Sequence, residues 1–215
     1  MLLKGYRCLG YYTSHLPLSI VRSDEDTLIA SAVGEHAFYV YNADHLSLVY
    51  MSRHISERIV WLQATSDGFV FTALEFEGKY TLVQWKKMNR VASYDVDGQV
   101  LKCLISGNLL FCLCEGKLLT IDIKKMELVS SWNCEYRDFM HPPTYVNKML
   151  MVGERELALV NVSSQKVVFD FKEVLGDEQV TCVAQSPVVD IVALGLQSGG
   201  IILLNLLYAE VLLKF

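Results

Sequence analysis

Proline is scarce in this chain, with four residues in 215, and glycine contributes only thirteen. Neither clusters into a low-complexity linker, so composition marks no domain boundary. Long apolar runs are also missing. The longest, IILLNLLYAEVLL at 201–213, is broken by Asn205 and Glu210 and is too short to span a bilayer. The opening MLLKGYRCLGYYT lacks the apolar core of a secretory signal, which points to a soluble chain in a reducing compartment. Positive charge is not in excess: the net charge is -5. That excludes a general polyanion coat and leaves only a local basic cluster open. What the chain has is apolar mass, 52% hydrophobic and 11% aromatic residues, too much for a disordered tail and enough for a core.

The residue patterns of reactive sites are equally thin. Six cysteines are scattered at Cys8, Cys103, Cys112, Cys114, Cys134 and Cys182. Cys112 and Cys114 would share one face of a strand, but no second pair stands at zinc spacing, so buried free thiols are the reading. None of His15, His36, His45, His54 and His141 has a Cys or acidic partner at metal spacing. His141 precedes a diproline and is held extended, as a turn cap or packing residue. Ser31, Ser106 and Ser186 fall at or near strand ends with no Gly-x-Ser-x-Gly elbow. Asp95 and Asp97 before Gly98 read as a loop between repeats and lack the ligand count of a calcium loop. No catalytic residue, metal, cofactor or small-molecule substrate is called for.

Helical periodicity is poor throughout. Short β-branched and aromatic runs, separated by Gly, Asp, Asn and Ser, give an all-β pattern. The pattern also repeats. FYVYNADHLSLVY, YTLVQWKKMNRVASY, LLTIDIKKMELVSSW, LALVNVSSQKVVFDF and IILLNLLYAEVLLKF each hold an apolar stretch, a polar residue, a turn and a second apolar stretch. The polar residues Asn42, Gln84, Asp122, Asn161 and Asn205 follow one another at 38 to 44 residues. That spacing matches WD40 blades of four strands. Five blades are expected at about 18–52, 57–94, 98–132, 139–171 and 179–215, with residues 1–17 as an N-terminal segment and candidate closing strand. In the fourth blade, MHPPTYV, KMLMVGE and ELALVNV serve as the first three strands, with 154–156 turning between the second and third. The Gly-His and Trp-Asp pairs of the repeat are largely missing. A four-stranded sheet apolar on both faces cannot shield itself, so the blades must stack, in part of a larger seven-bladed or tandem propeller or in a closed five-bladed ring.

Three blocks are specific enough to carry a resemblance. In GYRCLGYYTSHLPLSI at 5–20 they are Arg7, Leu9, Gly10 and Pro17. In HPPTYVNKMLMVG at 141–153 they are His141, Pro142, Thr144, Tyr145, Asn147, Lys148 and Gly153. VTCVAQSPVVDIVALGLQSGGIILLN at 180–205 adds Val180, Thr181, Pro187, Val189, Asp190, Val192, Ala193, Gly195, Ser198, Gly199 and Asn205. Together these residues resemble the WD-repeat protein 36 family. Glu154-Arg155-Glu156 departs from the family's glycine-bearing turn, and the family's second propeller and C-terminal helical domain are absent from this sequence. The resemblance implies a non-catalytic scaffold of the small-subunit processome. Its partners would be other WD-repeat proteins of the UTP-B subcomplex and further processome subunits, in the nucleolus, beside the U3 small nucleolar ribonucleoprotein. Its role would be pre-rRNA processing toward 18S rRNA and the 40S subunit. The rival is a WD40 adaptor in another intracellular complex, such as a ubiquitin ligase or trafficking coat.

One charge pattern singles itself out. Lys86-Lys87 and Lys124-Lys125 occupy the same turn of adjacent blades, and Arg90 follows nearby. Equivalent turns emerge on one face, so these five residues are the candidate contact with pre-rRNA, U3 RNA or a protein partner. The competing reading is a solvated turn that discourages edge pairing.

Overall fold

The computed structural model describes residues 15–16, 18–22, 26–186 and 189–215. Most of the N-terminal segment, with Arg7, Cys8, Leu9, Gly10 and Pro17, lies outside the described residues, as does Pro187. Among the described residues, the β-branched and aromatic runs form twenty strands in five four-stranded antiparallel sheets. Sheet one holds β1 (Ser19–Arg22), β2 (Thr27–Val33), β3 (Ala37–Asn42) and β4 (Ser47–Met51). Sheet two holds β5 (Arg58–Ala64), β6 (Phe69–Phe76), β7 (Lys79–Lys86) and β8 (Asn89–Val96). Sheet three holds β9 (Val100–Ser106), β10 (Leu109–Cys114), β11 (Lys117–Asp122) and β12 (Glu127–Asn133). Sheet four holds β13 (Asp138–Met140), β14 (Lys148–Val152), β15 (Leu157–Asn161) and β16 (Lys166–Asp170). Sheet five holds β17 (Val180–Gln185), β18 (Ile191–Leu196), β19 (Ile201–Asn205) and β20 (Glu210–Lys214). Strand order follows chain order in every sheet, the simple meander of a propeller blade.

The chain divides into two compact units. One runs to Phe111 and takes in Thr120–Val129; the other holds Cys112–Leu119 and Ser130–Phe215. In the first unit, Ala30, Phe38, Val40, Ile59, Leu74, Val83 and Trp85 form one buried cluster between sheets one and two. Phe38 meets the Trp85 ring edge-on at 5.6 Å, a geometry worth about 0.5–1.5 kcal/mol beyond area burial. Gln63 brackets the Ile105 peptide, accepting from its N–H at 2.9 Å and donating to its carbonyl at 3.4 Å, which ties β5 to β9. In the second unit, Leu150, Leu157, Leu159 and Phe171 pack with Val192, Leu194, Ile202 and Leu204 between sheets four and five. The second and third strands supply nearly all of these side chains, as expected of strands covered on both faces.

Several local expectations need correcting. The first strand of sheet four is the short Asp138–Met140, and HPPTYVN at 141–147 is the loop that follows it. Two consecutive prolines cannot donate to a ladder, so the strand ends before them. Ser31 lies mid-strand in β2, and Asp95 lies within β8 opposite Thr81, whose hydroxyl it accepts at 3.0 Å. The chain also makes a one-turn helix, α1 (Lys172–Leu175), which buries Leu175 and ends at Gly176 (φ 59). Gln84 does not stand with the other turn residues. Each outer strand whose pairing is resolved is bulged, at Val49, Val91, Val168 and Leu212, where the register skips one residue. Counted from the bulge, the residue equivalent to Asn42, Asn161 and Asn205 is Lys86, and Gln84 lies two positions earlier, buried in β7.

Candidate interaction surface

That correction makes the repeat's geometry plain. In sheets one, three, four and five the third strand ends on Asn42, Asp122, Asn161 and Asn205, and a four-residue turn follows. Each side-chain oxygen accepts backbone N–H groups inside that turn. Asn42 takes Asp44 and His45 at 3.0 and 3.1 Å. Asp122 takes Lys124 and Lys125 at 2.8 and 3.0 Å. Asn161 takes Ser164 at 3.0 Å, and Asn205 takes Leu207 and Tyr208 at 2.9 and 3.2 Å. The first turn residue also donates its N–H to Thr27, Asn108, Asn147 or Asp190 across the sheet. The last residue, Leu46, Met126, Gln165 or Ala209, takes a positive φ near 50°. Asx side chains suit such turns because they substitute for a backbone acceptor. The second and third residues of each turn are thereby pushed into solvent.

Sheet two departs from the rule. Its turn has two residues, Lys87 and Met88, with Lys87 at φ 56 and Lys86 paired with Asn89. Here the Trp-Asp pair survives by its first member. Trp85 donates its indole N–H to the buried Thr72 hydroxyl at 2.8 Å.

The five basic residues are all exposed and all lie in the first unit, Lys87, Lys124 and Lys125 on turns and Lys86 and Arg90 in the strands that flank the sheet-two turn. Their environments differ. Arg90 forms an ion pair with Glu57 at 3.0 Å, and its guanidinium lies 5.6 Å from the Trp85 ring. The Lys86 ammonium lies 5.4 Å from the Phe69 ring. Lys87, Lys124 and Lys125 lie on turns, and Asp122 accepts the Lys124 and Lys125 N–H groups. Glu57 is held below the ordinary carboxylate value, first by the Ser56 hydroxyl and also by Arg90. Arg90 is thereby tied to Glu57 and Trp85, while Lys87, Lys124 and Lys125 are exposed.

The second unit brings together two blocks that are remote in sequence. The Thr144 hydroxyl donates to the Asp190 carboxylate. The Tyr145 N–H donates to the Pro142 carbonyl at 3.1 Å, and the Lys148 ammonium lies 5.0 Å from the Tyr145 ring. Burial, then the Asp190 charge, pushes the Tyr145 phenol up. His141 faces the Val146 carbonyl at 3.4 Å, a turn-capping role. Spacing alone gave no sign that Thr144 and Asp190 meet, since they lie 46 residues apart.

A charged cleft of about 530 Å³ opens beside the same sheet, lined by Glu135, Arg137, Gly153, Glu154, Arg155 and Glu156. Arg137 and Glu154 pair across it at 3.1 Å. Cys103, Cys112, Cys114 and Cys134 are buried free thiols, and Cys182 is exposed. The Cys112 and Cys114 sulfurs are 3.7 Å apart on one strand face. Among the described residues, no group of three or more His, Cys, Asp or Glu is arranged to hold a metal ion. His36 faces the Ile55 and Glu57 carbonyls at 3.1 and 3.2 Å, and the Ser31 hydroxyl is donated to the Ala32 carbonyl at 3.3 Å.

Meander sheets with capped turns and a Trp–Thr bond define a WD40-type β-propeller fold. The structure is similar to the β-propeller domain of Myceliophteria thermophila Cps50 (Swd1), with a TM-score of 0.70 over 92% of this chain and 71% of that one, at 14% identity. More specifically, the model of the WDR36/Utp21 first beta-propeller matches residues 29–215, and the chain belongs to that family. It is similar to human WD repeat-containing protein 36, 30% identical over 234 residues and all of this chain. It is also similar to the U3 small nucleolar RNA-associated protein 21 homolog of Schizosaccharomyces pombe, 24% identical over 98% of this chain. The Saccharomyces cerevisiae U3 small nucleolar RNA-associated protein 21 is 24% identical over 94% of it. The chain spans about a quarter of the length of these relatives, 24%, 24% and 22% respectively.

Proposed function

We propose that this protein is a non-catalytic scaffold of the small-subunit processome, acting in the nucleolus beside the U3 small nucleolar ribonucleoprotein. Its partners on this reading are other WD-repeat proteins of the UTP-B subcomplex. Its contribution is to early pre-rRNA cleavage, toward 18S rRNA and the 40S subunit. The observation that carries the reading is the family match over 29–215, joined to relatives named for association with U3 small nucleolar RNA. The structure supports a display role: sheets stacked on apolar faces, turns fixed by Asx caps, and buried side chains committed to packing. The blades run at about 18–52, 57–94, 98–132, 139–171 and 179–215 on this reading, with 1–17 as a separate N-terminal segment.

The lysine turns are its RNA-facing part. Lys86, Lys87, Lys124 and Lys125 lie at one end of two adjacent sheets, and Arg90 positions the sheet beneath them. Purification of the tagged chain from cells should enrich U3 RNA and unprocessed pre-rRNA over bulk rRNA; enrichment of neither refutes the assignment. Changing all four lysines to Glu should reduce RNA crosslinking several-fold, as expected when phosphate contacts are lost. Unchanged crosslinking would remove the RNA contact while leaving the scaffold role standing.

A further inference from the structure

The four capped turns share one backbone and differ in what they show to solvent. Position one is wholly or partly buried in all of them: Ala43, Ile123, Val162 and Leu206. Positions two and three are exposed in all of them: Asp44-His45, Lys124-Lys125, Ser163-Ser164 and Leu207-Tyr208. Three pairs are polar, as exposure favours. The fifth sheet instead places Leu207 at 58% exposure and Tyr208 at 73%. The turn's own geometry does not call for apolar groups there, since Ser-Ser fills the same positions in sheet four.

This turn is also not isolated. The Leu206 N–H donates to the Asp190 carbonyl at 2.7 Å, and the Asp190 carboxylate accepts the Thr144 hydroxyl. Asp190 therefore clamps three segments together: 141–147, 189–190 and 205–209. The other two also present apolar groups, Val146 at 95% exposure and Val189 at 43%. The first of these loops is stiffened by its diproline, by the Tyr145 N–H bond to Pro142 and by the Lys148–Tyr145 contact.

We propose that Val146, Val189, Leu207 and Tyr208 form a docking surface for a short apolar segment of a partner protein. Three arguments fix the occupant. None of the four side chains is cationic, and Lys148 beside them is half-buried with its ammonium 5.0 Å from the Tyr145 ring, so a phosphate backbone finds no row of exposed lysines there. Four side chains offer roughly 300–400 Å², within the range of functional patches on monomers but about half the ~800 Å² per partner of a stable dimer. Glu210, exposed at the foot of the turn, favours a basic residue flanking the segment. Tyr208 supplies the aromatic anchor typical of binding hot spots. Holding the loops rigid lowers the entropy lost on docking.

The test uses the full chain and a displayed library of random dodecapeptides. The expected result is enrichment of apolar or aromatic peptides with a basic flank. Their synthetic versions should lose at least about tenfold in affinity to the Leu207→Ser/Tyr208→Ser variant and to Val146→Ser, and nothing to Lys124→Glu/Lys125→Glu. The serine pair copies sheet four, so an unchanged thermal midpoint confirms that the turn still folds. Three results overturn the proposal: no enrichment, peptides indifferent to the serine pair, or tighter binding of oligouridylate than of any peptide through Leu207 and Tyr208. A fourth result, concentration-dependent dimerisation in sedimentation that the serine pair abolishes, would overturn it in favour of self-association.

Discussion

Single side chains settle several questions that pattern leaves open. Trp85 and Thr72 are both buried and bonded to each other. Thr72→Val keeps the shape but strands an indole N–H, and should lower unfolding stability by about 1–3 kcal/mol in a denaturant titration. The Asx caps are more exposed. Asn205→Ala removes the acceptor for two N–H groups and should cost about 1 kcal/mol, with Asn205→Asp restoring most of it, read from the same titration. These residues also show where sequence was legible. Asn42, Asp122, Asn161 and Asn205 stood out because an Asx residue after an apolar run has a local mechanism that spacing reveals. Lys86 did not, because sheet two shortens its turn by two residues and uses no Asx cap, so the eye settles on Gln84.

At the scale of strands and loops, the clearest miss was β13. Asp138–Met140 is only three residues long, and the apolar HPPTYV beside it imitates a strand, although its prolines cannot pair. The clamp of Thr144 on Asp190 was invisible for another reason: it depends on which loops tertiary packing brings together. Sheet five carries a tight fit of the same kind. A methyl added at Gly195 would stand 2.5 Å from the Cys182 sulfur on the paired strand. Gly195→Ala should therefore destabilise the chain by about 1 kcal/mol, the cost of turning the exposed Cys182 side chain aside. Cys182→Ala in the same molecule should recover most of that loss, and a double-mutant cycle of thermal midpoints would expose the coupling. Strictly additive losses would place the cost in the β18 backbone instead.

For the molecule as a whole, stability should depend on pH in a definite direction. Glu57 and Glu75 are both held below the ordinary carboxylate value. The Ser56 hydroxyl is the first cause for Glu57, and the Gly78 N–H for Glu75, with Arg90 and Arg58 adding to each. A carboxyl depressed in the folded state binds fewer protons there than when unfolded. Its contribution is thus complete above the ordinary value of 4.5 and drains away as the pH falls through the lower folded value. Chemical denaturation from pH 7 down to pH 3, near those ordinary values, should show stability falling, and Glu57→Gln should flatten the slope; an unaltered slope would reassign it to other carboxylates. Five sheets were foreseeable because alternation and spacing are properties of the chain itself. Which turns would be basic, apolar or clamped was not, since that depends on neighbours.

The kinked outer strands have one more consequence. Val49, Val91, Val168 and Leu212 sit on the rims of their sheets, half in water, where a straight ribbon of such residues would seed filaments. The extra residue bends each rim away from the flat template that fibril growth needs, and Lys166 and Asp170 guard the ends of β16. Deleting Val168 would straighten that rim while removing a greasy side chain. The shortened protein should nonetheless precipitate sooner, which turbidity at rising concentration would reveal.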